Sequence, residues 1–388
     1  MSATMPTAHR SAIEPFHVME VLKAGAERQR THGDVLLMCA GQPSTPAPLI
    51  VREAAVAALG TQVLGYTEAT GIVGLRETIA AHHRDWYAVD VTADDVVVTT
   101  GSSGAFSTIF LAAFEAGDTV AMTRPGYPAY RNTLTALGCR VLELDCGAGT
   151  RYQPTVAMLE ELPEPPAGLI VASPANPTGT VIDATELAAI TQWCEANGTL
   201  LISDEIYHGL TYGPPATSAW QTSRSTVVVG SASKYFSMTG WRLGWALLPA
   251  HLHRPVEVLA QNLTICPPAI SQYAALPAFG EAAREELDGH VERYAVNRQL
   301  LIERLPEIGL DSYAPPDGAF YAWCDIGHLT DDSVQWCKSV LRETGVALTP
   351  GVDFDTVHGR RMMRLSFAGS TADVSEAIDR LARSALLR

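Results

Sequence analysis

Lys234 stands in Ser231-Ala232-Ser233-Lys234, directly after the apolar run Val227-Val228-Val229-Gly230. Arg242 follows eight residues later, inside Gly240-Trp241-Arg242-Leu243-Gly244. A lysine among hydroxyls with a second cation nearby is poorly placed as a simple surface charge. It suits an amine of lowered pKa that condenses with a carbonyl beside a phosphate.

Four further segments carry residue types that could serve such a group, each at the end of an apolar run. Thr99-Thr100-Gly101-Ser102-Ser103-Gly104-Ala105 joins a strand-like run to a helical pattern. Its glycine lets the backbone turn, and N–H groups and serine hydroxyls at a helix start can hold a phosphate. It is neither G-x-G-x-x-G nor a P-loop with its lysine, so nucleotide readings lose ground. Pro125-Gly126-Tyr127-Pro128 offers the Tyr127 ring face to a flat heteroaromatic group. In Ser173-Pro174-Ala175-Asn176-Pro177-Thr178-Gly179 the Asn176 amide, set between prolines, can donate to a phenolate-like oxygen. Asp204, in Ser203-Asp204-Glu205-Ile206-Tyr207, is costly at the end of a buried strand unless paired. A pyridinium N–H is one such partner, and Tyr207 can reach the same ring from its side. Taken singly, each has an ordinary alternative: an N-cap, a core tyrosine, a breaker-rich turn, a structural ion pair. Lys234 and Arg242 have theirs too, as a surface lysine and a structural arginine. The order of all these residues along one chain, each at a strand end, is the stronger observation. Together they describe a site for pyridoxal phosphate (PLP).

The elements that must position these residues alternate. Candidate strands are Asp95–Thr99, Thr119–Met122, Arg140–Leu144, Leu169–Ala172, Leu200–Ser203, Thr226–Val229 and Leu243–Leu247. Several are continuous apolar runs, as expected for strands covered on both faces. Helical patterns lie between many of them. One of these, Asp183–Asn197, opens with Asp183 and Glu186 in capping-box spacing and stops at Asn197-Gly198. This predicts an α/β fold with a mostly parallel, doubly wound sheet, whose ligands bind beyond the strand carboxyl ends. Before it, helices are expected over 11–31, 48–59 and 72–86. After Pro249 the pattern changes to a long helix over 281–305, strands near Ala319–Trp323, Val346–Thr349 and Met362–Phe367, and a last helix over 371–387. The expected division is a segment 1–47 that packs with a small α+β domain 281–388, and a large domain 48–280 that binds the cofactor.

Composition narrows the classes. The chain has 388 residues, 47% hydrophobic, with Lys+Arg 27 against Asp+Glu 42 and a net charge of −15. No basic run offers a nucleic-acid footprint. The seven cysteines are scattered without C-x-x-C and read as reduced, which points to the cytoplasm. Met1 to Pro15 has no apolar leader, no stretch approaches a membrane span, and no metal is implied.

The constellation resembles the fold-type-I PLP enzymes and, within them, the class I, aspartate aminotransferase-like enzymes, from about Val18 to the final helix. The resemblance implies the following roles. Lys234 is the Schiff-base lysine and proton shuttle, Asp204 the partner of the pyridinium nitrogen, and Asn176 and Tyr207 the donors to the ring oxygen. Tyr127 is the stacking aromatic. Gly101, Ser102, Ser103, Ser231 and Arg242 match the phosphate cup, which Ser233 either joins or only neighbours. Tyr66, in Tyr66-Thr67-x3-Gly71-x2-Gly74-Leu75-Arg76, matches the segment that reaches the phosphate of a neighbouring subunit, which implies a homodimer with shared sites. Arg364, in Met363-Arg364-Leu365-Ser366-Phe367, matches the clamp for a substrate α-carboxylate, with Gly41 over it. The implied reaction moves an amino group between an L-amino acid and a 2-oxo acid.

Ser102 and Ser103 stand where relatives specific for dicarboxylates can carry a lysine, so neutral pairs such as alanine or valine with pyruvate are expected. Arg10 or Arg28 could swing in and restore a second cation, which would give an aspartate or aromatic enzyme using 2-oxoglutarate. A C–S β-lyase or a cyclopropane-forming synthase is an alternative on the same scaffold. A regulator with a sensor domain of this shape lacks room for a DNA-binding module ahead of residue 12. A nicotinamide-dependent dehydrogenase lacks its glycine fingerprint.

Overall fold

The computed structural model describes residues 7–387; Met1–Pro6, the start of the segment read as lacking a leader, and Arg388 lie outside them. The described strands are β1 (Leu36–Leu37), β2 (Val96–Thr99), β3 (Thr119–Arg124), β4 (Arg140–Asp145), β5 (Gly168–Ala172), β6 (Leu200–Asp204), β7 (Val227–Ser231), β8 (Gly244–Leu247), β9 (Tyr321–Asp325), β10 (Val346–Ala347), β11 (Thr349–Pro350) and β12 (Met362–Ser366). β2 to β8 form one sheet in the order β2-β8-β7-β6-β5-β3-β4. All its pairs are parallel except those of β8, which runs against both β2 and β7. All seven expected strands are present, and the mostly parallel sheet is as expected.

The apolar runs explain this sheet. Val96, Val98, Leu169, Val171 and Val228 pack into the core on one face, and Val97, Ile170 and Val229 into the core on the other. Both faces are thus covered, so neither can alternate with polar residues. The chain runs from β3 outward to β4, then reverses to β5 on the other side of β3. That reversal opens a crevice at the strand carboxyl ends.

A three-stranded antiparallel sheet, β11-β12-β9, forms the second layer, and β1 pairs in parallel with β10. The run expected as one strand over 346–349 is two short strands serving different sheets. Helix α1 (His17–His32) starts later than the pattern over 11–31 suggests, because Pro15 disfavours helix just ahead of it. Its end at Gly33, with φ of 71°, is as expected. Helices α2 (Leu49–Thr61), α3 (Val73–Tyr87) and α4 (Gly101–Ala113) follow. The predicted capping box is half formed. Asp183 caps Thr185, but Glu186 turns away and accepts the Val156 N–H at 2.5 Å, because a tertiary partner outbids the local one.

Among the described residues no helix is long and apolar enough to cross a membrane, and no cluster of three metal-ligating side chains occurs.

Candidate active site

A cavity of about 560 Å³ opens at the carboxyl ends of β5, β6 and β7. It is lined by Gly41, Ser102, Ser103, Tyr127, Asn176, Asp204, Tyr207, Ser233, Lys234, Arg242 and Arg364. The fold thus brings together eleven of the residues singled out in the sequence. Gly101 borders them: a Cβ built on it would lie 2.6 Å from the Arg242 guanidinium. Ser231 does not line the cavity. Its Oγ accepts the Ser233 N–H at 3.1 Å and so shapes the turn that presents Lys234. Tyr66 is 84% exposed, on the loop after α2 and away from this chain's cavity.

Asp204 ends β6 and is buried, as the last residue of a strand covered on both faces must be. The Tyr130 hydroxyl donates to its Oδ2, and the Ile206 N–H to its Oδ1 at 3.1 Å. Burial raises its carboxyl to about 6, against these bonds and the pull of Lys234. Lys234 donates from Nζ to the Gly41 carbonyl at 2.6 Å. Burial and the charges of Arg364 and Arg242 bring its amine down to about 8, against the pull of Asp204. The lowered amine expected from sequence is therefore present, and its main cause is burial.

Arg364 lies on the central strand β12 of the second sheet and is 2% exposed. Its Nη1 donates to Asn176 Oδ1 at 2.7 Å and its Nη2 to the Cys39 carbonyl at 2.9 Å. The guanidinium packs over the Tyr321 and Phe354 rings at 4.5 and 4.7 Å. Its Nε has no hydrogen-bond partner among the described residues. Arg242 lines the cavity and is exposed, with φ of 53°, and among the described residues its guanidinium donates only to the Thr239 carbonyl at 3.0 Å. The start of α4 has no side-chain cap for its first N–H groups, and Ser102 and Ser103 of that first turn line the cavity.

Among the described residues, Lys234, Asp204, Arg242 and Arg364 make no ion pair. Buried charges that share one cavity without forming an ion pair are costly, and a ligand that meets them offsets that cost. The donor set describes that ligand. An acidic end at Asp204 takes a cationic ring N–H. A cationic end at Arg242 and the α4 N-terminus takes a phosphate. Between them stands an amine able to condense with an aldehyde. PLP fits all three, and Arg364 with Asn176 leaves a separate place for a carboxylate.

Sequence reasoning missed three contributors. Tyr130 sits one helical turn beyond Tyr127, and that spacing was the available signal. The Tyr321 hydroxyl meets that of Tyr207 at 2.7 Å, a contact between residues 114 positions apart. Phe16, Val18, Met19 and Leu22, at the start of α1, and Leu37 form an apolar wall of the cavity.

A family model described as aminotransferase class I and II matches residues 33–381. A valine–pyruvate aminotransferase of Mycobacterium tuberculosis is 56% identical over 96% of this chain and 97% of its own. The crystal structure of an aminotransferase from Mycobacterium tuberculosis superposes with a TM-score of 0.96 at 55% identity, covering 98% of both chains. The aspartate aminotransferase of Thermus thermophilus with maleate gives 0.93 at 31% identity, over 98% of this chain and 100% of the other.

Proposed function

This chain belongs to the class I and II aminotransferases, and from that premise we propose that it uses PLP to move an amino group between a neutral aliphatic L-amino acid, valine or alanine, and pyruvate. The cluster of Lys234, Asp204, Arg242 and Arg364 around the cavity, which form no ion pair among the described residues, carries the cofactor assignment. Bound PLP supplies an electron sink next to the substrate Cα.

The chain's own residues supply the rest. Asp204 holds a proton on the ring nitrogen through its negative charge, and Tyr130 fixes the direction of that carboxylate. Tyr207 and Asn176 donate toward the ring oxygen. Tyr127 covers one ring face, while Ser102, Ser103, Ser233, Arg242 and the first N–H groups of α4 hold the phosphate. Arg364 anchors the substrate carboxylate, which fixes the Cα–H direction relative to the ring. Lys234 Nζ accepts the Cα proton and returns it on the far side of the transfer. Near neutral pH an amine at about 8 is partly unprotonated and close to the pKa that proton transfer favours.

The substrate class rests on the wall of α1. Among the described residues that line the cavity, the cations are Lys234, Arg242 and Arg364, each with a role above. Arg28 is engaged elsewhere. Its Nε and Nη2 bind Asp34 at 2.8 and 2.7 Å, and its Nη1 the Arg342 carbonyl at 2.6 Å. Arg10 does not line the cavity. A side chain facing Phe16, Met19, Leu22 and Leu37 meets apolar surface. The proposal includes a homodimer in which Tyr66 serves the partner subunit's phosphate.

A panel of amino donors against pyruvate and 2-oxoglutarate, followed spectroscopically as half-reactions, tests this. Valine and alanine with pyruvate should lead. Equal turnover of aspartate with 2-oxoglutarate would remove the substrate assignment, and a colourless protein with no affinity for PLP would remove the cofactor.

A further inference from the structure

Two adjacent polar side chains on the helix Ala269–Ala275 are buried, Ser271 at 3% exposure and Gln272 at 0%. Neither lines the cavity. Ser271 Oγ donates to the Trp241 carbonyl at 2.7 Å. That peptide leads directly into Arg242, whose φ of 53° is a conformation that residues other than glycine seldom adopt. Such a backbone persists when its surroundings fix it.

Gln272 spends its amide on a different segment. Its Oε1 accepts the Ile72 N–H at 2.8 Å, and its Nε2 donates to Thr67 Oγ1 and the Pro267 carbonyl, both at 3.0 Å. Thr67 and Ile72 bracket the root of the loop that carries Tyr66 into solvent. The same root is tied to β2 by the Val98 N–H, which donates to the Thr70 carbonyl at 2.9 Å.

We infer that Ser271 and Gln272 form a two-armed positioning unit, one arm setting Arg242 for the phosphate in this subunit and the other setting the Tyr66 loop for the phosphate in its partner. The inference rests on the proposed dimer with shared sites. Successive residues of one short helix cannot move independently, so each subunit's contribution to its own cup and to its partner's cup is aligned through a single element.

The test compares equilibrium binding of PLP and of pyridoxal, which lacks the phosphate. Gln272→Met keeps the volume and removes all three bonds. Thr67→Val removes one of them from the loop side at a half-buried position, so the test survives if Gln272→Met folds poorly. Both variants should weaken PLP roughly five- to tenfold and leave pyridoxal within about twofold. A purely structural role would weaken both ligands alike and overturns the inference.

Hybrid dimers assign the arms. A subunit carrying Lys234→Ala and Gln272→Met, paired with a wild-type subunit, should weaken PLP at the wild-type Lys234. Lys234→Ala with Ser271→Ala in the same subunit should not, because Ser271 acts within its own cup. The reverse pattern also overturns the inference. A monomeric wild type, or full PLP affinity in Tyr66→Phe, overturns the dimer reading itself. A weakened Tyr66→Phe beside unaffected Gln272→Met and Thr67→Val overturns only the positioning unit.

Discussion

At the scale of single residues, the site holds buried ionisable groups that form no ion pair among the described residues, and their titration is the measurable consequence. Lys234 at about 8 reacts with an aldehyde only when unprotonated. The rate at which the apoprotein takes up PLP should therefore rise with pH, with a midpoint near 8. A midpoint above 10, the ordinary lysine range, would show that the amine is not the buried one. Asp204 carries the opposite burden. Its folded pKa of about 6 lies above the ordinary 3.8, so the native apoprotein binds the extra proton between those values. The stability this group contributes is full below about 4 and is lost as pH rises through about 6. At pH 8 the apoprotein bears a buried carboxylate whose burial outweighs the bonds from Tyr130 and Ile206, so Asp204→Asn should stabilise it by roughly 1–3 kcal/mol. The same change should weaken PLP binding. Thermal unfolding of apo and loaded protein checks both signs, and a destabilised apo variant would contradict the reading of Asp204 as only partly compensated. The sequence made these groups legible because a lysine, an aspartate and arginines at strand ends have few ordinary uses in combination. It left Tyr130 and Tyr321 unread as site residues. Tyrosines are common in cores, and a hydroxyl contact across 114 positions leaves no local pattern.

At the scale of elements, long apolar runs were readable and short tertiary ones were not. Central strands such as β5, β6 and β7 have their own valine-, leucine- or isoleucine-rich runs, so burial on both faces dictates them. The two-residue strands β10 and β11 have no periodicity to read. The start of α1 is another such case. Its first N–H groups, of His17 and Val18, donate to the carboxylate of Asp353 at 2.9 Å each, across more than 330 positions. A cap supplied from that distance cannot be found by spacing, yet it fixes where the wall of Phe16, Val18, Met19 and Leu22 stands. Asp353→Ala should cost about 1–2 kcal/mol, as loss of a cap does. It should also raise the KM for valine more than it changes kcat, because the residues that face the substrate side chain lose their anchor while Lys234 and Asp204 stay in place. Steady-state kinetics decide this. A fall in kcat alone would place α1 outside substrate binding.

At the scale of the whole molecule, a group of exposed apolar side chains is out of character. Val56 and Leu59 on α2 are 70% and 66% exposed, and Val63 on the following loop 98%. Leu263, at 55%, ends the helix Ala250–Leu263 and Ile265, at 50%, lies just beyond it, and the helix Ala269–Ala275 packs against α2. A chain with a net charge of −15 repels its copies in general, so an apolar area of this kind is expected to be covered by a specific partner. The sequence pointed here through Tyr66, whose proposed target lies on another copy. The resulting prediction joins assembly to cofactor binding. Wild-type protein should sediment at twice the mass of one chain. Leu59→Asp places a charge in the middle of the covered face and should give monomers at micromolar concentration, with unchanged far-ultraviolet circular dichroism because residue 59 supports no core. Those monomers keep Arg242, Ser102, Ser103 and the α4 N-terminus but receive no Tyr66 from a partner. Their PLP affinity should fall about tenfold, the worth of one good hydrogen bond to a charged group, while affinity for pyridoxal stays nearly level. A monomeric variant that binds PLP as tightly as the wild type would mean that each subunit completes its own phosphate cup, and that Tyr66 is only a contact in the interface.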